Sequence, residues 1–160
     1  MPQTMSQLES IKSAMVGNYY SRFTVGDGFD LYFPDFVLSS REVTSTDEQT
    51  INSSFVESYR PAQYTANRDR IAKSTVVAAC LDIPVTSVDL LTDSSLLLMF
   101  SNGVAVCLPT DTPTVDWHWA ITESGGDPYI GCHIACFAPG DIQGGMPNNS
   151  FKPTPLRGAA

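Results

Sequence analysis

The sequence predicts an α+β fold: an antiparallel sheet of two meanders with helices on one face. Three observations carry the prediction. Two segments of helical period, at about 5–16 and 65–81, are each followed by runs of strand-like patterning. Gly26-Asp27-Gly28 and Asn102-Gly103 are hairpin turn signals. Hydrophobic residues make up 42% of the chain and charged residues 16%, which favours a packed globule over disorder. At 160 residues the chain fits a single domain, expected over 1–142, with 143–160 expected as a disordered tail.

The elements follow in order. Ser6 and Glu9 stand at capping-box spacing, and Leu8, Ile11 and Met15 share one helical face before the stop at Gly17-Asn18. Tyr20, Phe29, Leu31 and Phe33 alternate with polar neighbours, and Phe36, Val37 and Leu38 open another strand after Pro34-Asp35. Residues 44–64 are rich in Ser, Thr and Gln; they fit a strand or a helical turn, ending at Pro61. In the next helix Ile71, Thr75, Ala78 and Leu81 lie along one side, and Pro84 prevents continuation. The β-branched run Thr75-Val76-Val77 argues against that helix. From Val85 onward "TSVDLL", "SSLLLMF", "GVAVCLP", "VDWHWAIT" and "YIGCHIACF" read as strands, with "APGDIQGGMPNN" as loop. "LLLMF" is apolar on both faces, so it is expected in the middle of a sheet and covered on both sides.

Slid against itself by 67 residues, "FTVGDGFDLYFPDFVL" falls on "LLTDSSLLLMFSNGVA" without a gap. Phe23 meets Leu90, Phe29 meets Leu96, Leu31 meets Leu98, Phe33 meets Phe100 and Val37 meets Val104. A helix precedes each stretch at the same distance. Two readings stay open: a duplicated helix–meander unit over 5–60 and 65–137, or one sheet whose hairpins share generic chemistry.

The second stretch resembles a loose group of small bacterial proteins of unknown function, in which L-x-F-x-x-G precedes a tryptophan strand. The matching residues are Leu98, Phe100, Gly103 and Trp117 or Trp119. The resemblance implies a fold and no chemistry. The closing "NNSFKPTPLRGAA" resembles the translation of an integron attC recombination site. That implies a protein encoded by a mobile gene cassette, in which Lys152 and Arg157 belong to the tail and not to a binding site.

Charge narrows the function classes. The formal net charge is −8, and the stretch before the tail carries all 17 acidic residues against seven basic ones. Such a body repels phosphate backbones and shows no basic patch, so no nucleic acid partner is expected. No signal peptide and no membrane span are read, so a cytoplasmic protein is expected, with Cys80, Cys107, Cys132 and Cys136 as thiols.

Two constellations merit attention. On a strand through "DWHW", Trp117 and Trp119 share one face while Asp116 and His118 share the other. An Asp beside a His could orient an imidazole as a base, but no nucleophile accompanies them. In "CHIAC", a strand sets Cys132 and Cys136 about 13 Å apart, too far to share a metal or form a disulfide, with His133 on the opposite face. Neither segment implies a catalytic residue, a metal or a cofactor. The candidate binding residues are Asp116, Trp117, His118, Trp119, Tyr129 and His133. The function expected is that of an acidic binding or protein-interaction module, homodimeric, suited to a basic protein partner. The alternative is a small-molecule binder or enzyme with a pocket around Trp117, Trp119 and Tyr129.

Overall fold

Nine short strands and three α-helices make up the computed structural model, which describes residues 2–147, the first three by backbone alone. The chain runs α1 (Pro2–Met15), β1 (Arg22–Val25), β2 (Phe29–Tyr32), β3 (Val37–Ser40) and α2 (Glu48–Ile51). It continues through α3 (Asp69–Ala79), β4 (Val85–Leu90), β5 (Leu96–Phe100), β6 (Ala105–Leu108), β7 (Trp119–Thr122), β8 (Ile134–Ala138) and β9 (Asp141–Gly144). Six strands form one antiparallel sheet in the order β1-β2-β3-β7-β8-β9, and β4-β5-β6 form a second. The fold is α+β and mostly sheet, with three meanders where the sequence suggested two. The stretch "NNSFKPTPLRGAA" at 148–160 lies outside the described residues.

The first two meanders repeat one unit, a helix followed by three strands, although not in the gap-free register that the sequence offered. Equivalent buried helix positions are 65 residues apart: Gln7, Ile11 and Met15 correspond to Ala72, Val76 and Cys80. The same offset relates β1 to β4, since Phe23 pairs with Leu31 as Val88 pairs with Leu98. Leu90 is therefore not the counterpart of Phe23. A longer first turn raises the offset to 67, so that Phe29, Leu31 and Phe33 match Leu96, Leu98 and Phe100, all buried. A longer second turn raises it to 68: Leu38 opposes Leu31 as Val106 opposes Leu98. The turn at Asn102-Gly103 accommodates the extra residue with Gly103 at φ 89°.

The two units also grip each other reciprocally. Gly17 donates its N–H to Val85 O at 2.8 Å, and Asp82 donates its N–H to Tyr20 O at 2.9 Å. At the offset of 65, Gly17 corresponds to Asp82 and Tyr20 to Val85, so the two bonds are one bond made twice. Both donors sit just past their helices in the left-handed region, Gly17 at φ 88° and Asp82 at φ 63°.

One main apolar core joins the two sheets with α1 and α3, and a smaller cluster of Val56, Ala62 and Ala72 lies beneath the segment after α2. Ile11 and Met15 of α1 and Val76 and Val77 of α3 meet Phe29, Leu38, Trp119 and Ile134 of the large sheet and Val88, Leu98 and Val106 of the small one. Trp119, fully buried, ties the sheets together: its indole N–H donates to Ser94 O in the β4–β5 turn at 2.9 Å. Gln7 of α1 covers β9, its amide donating to the carbonyls of Ile142 and Gly144 at 3.2 and 2.7 Å.

Several expectations need correction. Ser6 lies inside α1, which begins at Pro2, so it caps nothing. Ser45 and Glu48 have the same spacing at the start of α2, where the Glu48 carboxylate accepts the Ser45 N–H at 2.8 Å, although α2 starts from Asp47 without a side-chain cap. Most of residues 48–64 are helical: α2 widens into a π-helical turn (Asn52–Val56), and after a turn and the extended Tyr59 a 3₁₀ turn follows (Arg60–Tyr64), with Pro61 inside it. Lys73 of α3 anchors this segment through Val43 O at 2.6 Å and Glu48 at 3.1 Å. The stretch "APGDIQGGMPNN" contains strand β9 rather than loop alone, and Met146 beyond it is buried. β5 is central in its sheet, yet only Leu96, Leu98 and Phe100 are buried; Leu97 and Met99 on its outer face are half-buried.

Candidate functional site

The tryptophan segment is not one strand. Extended pairing begins at Trp119, and Asp116 and Trp117 lie in the loop before it. The reason is Arg41, just past β3. Its guanidinium binds Asp116 at 2.9 Å and stacks over the Trp117 ring, 4.3 Å from the centroid. These two contacts draw consecutive side chains onto one cation, which an alternating strand could not do. Trp117 is therefore separated from Trp119, which is committed to the core.

His118 is buried, and its backbone extends the ladder on both sides: its N–H donates to Cys136 O at 2.8 Å, and its carbonyl accepts the Arg41 N–H at 2.9 Å. The imidazole does not meet Asp116, which Arg41 holds. Nδ1 of His118 and Nε of Arg41 are buried without a hydrogen-bond partner among the described residues. Burial holds the imidazole below its usual pKa, with Asp111 pulling upward and Arg41 pushing further down. A neutral imidazole beside a cation, with no hydrogen bond to the Asp116 carboxylate among the described residues, is not an Asp–His base.

Tyr129 stands on a turn built by Asp127-Pro128. The Asp127 carboxylate accepts the Tyr129 N–H at 2.9 Å, and its carbonyl accepts the Ile130 N–H at 2.9 Å. The phenol reaches back to donate to Asp116 O at 2.9 Å, which joins this turn to the Arg41–Trp117 loop. On its other side the Tyr129 ring packs on Phe137 of β8, centroids 5.1 Å apart. There Pro128, Tyr129, Cys132, Phe137, Asp141, Gln143 and Gly144 line an open cleft of about 470 Å³. The structure thus brings Asp116, Trp117, His118 and Tyr129 into one neighbourhood around Arg41, but only Tyr129 of these lines the cleft. His133 precedes β8, where its backbone bridges Ile121 and Gly145.

Sequence reasoning missed Arg41, Phe137 and Asp141. Phe137 and Asp141 carried a signal in the strand–turn–strand pattern "CFAPGDI"; Arg41 carried none, being 75 residues from Asp116. Cys132 lies outside β8 and borders the cleft, whereas Cys136 is buried within the strand. Burial raises the pKa of all four thiols, with Cys80 and Cys136 pushed up to about 11. They are protonated at neutral pH and poor nucleophiles. Among the described residues no three His, Cys, Asp or Glu side chains come together as a metal site, and no helix is long and apolar enough to cross a membrane.

The cleft offers two aromatic rings and one carboxylate, and among the described residues no Lys, Arg or His lines it. Gln143 donates to Asp141 Oδ1 at 3.0 Å and so holds the carboxylate over the floor of β9. Compared with known protein families, curated proteins and solved structures, the chain shows no significant match.

Proposed function

We propose that the protein works by binding and that its ligand is a small organic cation with an aromatic or otherwise flat apolar body, taken in the cleft of Tyr129, Phe137 and Asp141. One observation carries the reading: the Asp141 carboxylate and the Tyr129 and Phe137 rings line the same cleft, with no basic side chain in its lining. A cation is attracted both by the carboxylate and by the ring faces, and a volume of about 470 Å³ suits a small molecule. The neutral thiol of Cys132 adds apolar lining. Binding is favoured over chemistry because His118 has no carboxylate to orient it and the thiols are held protonated. An accessory protein of a gene cassette, the setting that the tail suggests, needs no more than such a site.

The test is a matched pair of probes, phenethylamine and 3-phenylpropionate, titrated calorimetrically. The amine should bind at least ten times more tightly, about 1.4 kcal/mol. Asp141→Asn should reduce the preference to less than threefold, and Tyr129→Ala should weaken the amine without restoring the acid. Equal binding of both probes, or amine binding that ignores both substitutions, would overturn the proposal.

A further inference from the structure

The repeat supplies an internal control. The rows of the first unit that alternate with its core positions, Thr24–Asp30–Ser39 and Arg22–Tyr32–Val37, occupy the same places as Asp89–Leu97–Cys107 and Ser87–Met99–Ala105 in the second, although Ser39 and Val37 are themselves buried. In the first unit the polar row closes on itself: Thr24 donates to Asp30 Oδ2 at 3.1 Å and Ser39 to Asp30 Oδ1 at 2.6 Å. At the same positions the second unit carries Leu97 and Cys107, flanked by Met99 and Ala105, each half-buried. One fold position is thus polar and self-satisfied in one copy and apolar and partly open in the other. Fold requirements alone do not ask for the apolar version, since the first copy does without it.

The apolar row borders a groove of about 300 Å³, walled on its far side by Thr44, Ser45 and Thr46. Thr44 exchanges two backbone hydrogen bonds with Cys107, at 2.9 and 2.8 Å, and so closes part of the β6 edge. What stays open is a side-chain surface rather than a strand edge. Its rim is acidic: Asp89 is the exposed end of the row, and the charges of Asp93 and Asp111 both act on the Cys107 thiol. Asp93 is held below the usual carboxylate range by the backbone N–H of Ser95, so it stays charged down to low pH.

We infer that the outer face of β4–β6 is a docking surface for a basic protein segment, one that seats an apolar side chain on Leu97 and Cys107 and sets Lys or Arg against Asp89, Asp93 and Asp111. Charge complementarity selects this occupant. A second copy of the chain would bring an identical acidic rim against this one, and like charges across an interface cost several kcal/mol. The apolar centre supplies affinity and the carboxylate rim supplies steering and orientation. This surface is separate from the Tyr129 cleft, and neither depends on the other.

Two peptides of equal length test it: one alternating Lys and Leu, the other alternating Glu and Leu, each titrated into the ¹⁵N-labelled protein. The Lys peptide should shift the amides of Leu97, Met99, Ala105 and Cys107 while leaving Thr24, Asp30 and Ser39 in place. Its affinity should fall at least tenfold with Leu97→Asp, and at least fivefold with the surface pair Asp93→Asn and Asp111→Asn, which leaves the apolar face intact. Raising the salt from 50 to 300 mM should weaken it further. Shifts spread over the whole acidic surface, equal binding of the Glu peptide, or self-association abolished by Leu97→Asp would each overturn the inference, the last in favour of a dimer.

Discussion

Trp119→Phe should be among the most damaging single changes that leave the sheet pairing unaltered. Trp119 is fully buried, and its Nε1 donates to Ser94 O at 2.9 Å, the side-chain bond that joins β7 of the large sheet to the β4–β5 turn of the small one. Phenylalanine cannot donate, so a buried carbonyl loses its partner at a cost of about 1–3 kcal/mol. The missing pyrrole portion leaves a void in a core that relaxes only partly, adding roughly 1–2 kcal/mol by scaling the Trp→Ala range. About 3 kcal/mol in total would be a large share of a domain's stability and should lower Tm by roughly 6–12 °C at this chain length. The turn carries other ties: Ser94 Oγ accepts the Gly140 N–H at 2.8 Å, and Thr110 donates to Asp93 O at 2.6 Å. Trp119→Phe and Ser94→Ala should therefore be non-additive by more than about 0.5 kcal/mol in a double-mutant cycle. Urea denaturation followed by far-UV circular dichroism measures both quantities. A shift in Tm under 3 °C with an unchanged denaturant slope would show that the sheets do not depend on this link.

Three further predictions follow from the repeat and from burial. Asp82→Gly should stabilise the protein by about 0.5 kcal/mol, because Asp82 occupies at φ 63° the place that glycine fills in the first unit; a thermal melt showing a loss above 1 kcal/mol would contradict the equivalence. Because burial depresses the His118 pKa, the unfolded chain takes up its proton first as pH falls. The stability present above about pH 6.5 should accordingly decline as the pH falls below 6.5, a decline that His118→Gln should flatten in urea titrations. In alkali the sign reverses: with Cys80 and Cys136 at about 11 against an ordinary 9.0, the unfolded thiols ionise first, and stability should fall between pH 9 and 11. Replacing both residues by Ala should reduce that slope, leaving the part contributed by Cys107, Cys132 and Tyr20, which burial also shifts upward.

Much of the fold could be read from local chemistry. The alternation of Leu96, Leu98 and Phe100, the hairpin at Gly26-Asp27-Gly28 and the helix before Pro84 each follow from spacing that a single segment contains. At Gly28 the reason is steric, since a Cβ there would stand 2.5 Å from Ser40 O at the end of the neighbouring strand β3. The Thr75-Val76-Val77 run formed helix in spite of its β propensity because Val76 and Val77 are both buried in the core. What could not be read depended on partners far away in the chain. Trp117 leaves the strand because of Arg41, and the carbonyls of Ile142 and Gly144 in β9 are covered by Gln7, on a helix more than 130 residues earlier. The offset of 67 holds only between β2 and β5, because a gap-free comparison cannot see turns that differ by one or two residues. Of the residues singled out in the sequence, Asp116, Trp117, His118 and Tyr129 gather around Arg41, whereas Trp119 lies in the core and only Tyr129 borders the cleft. The other ring and the carboxylate of that cleft, Phe137 and Asp141, look like an ordinary strand end when read alone.

The most direct measurement for the proposed binding role is an amide and aromatic NMR map of the labelled protein with phenethylamine. The account predicts shifts at Tyr129, Phe137, Asp141 and Gln143, saturating together, with Leu97 and Cys107 unmoved. Saturable shifts centred on any other surface, or none at these four residues at millimolar amine, would contradict it.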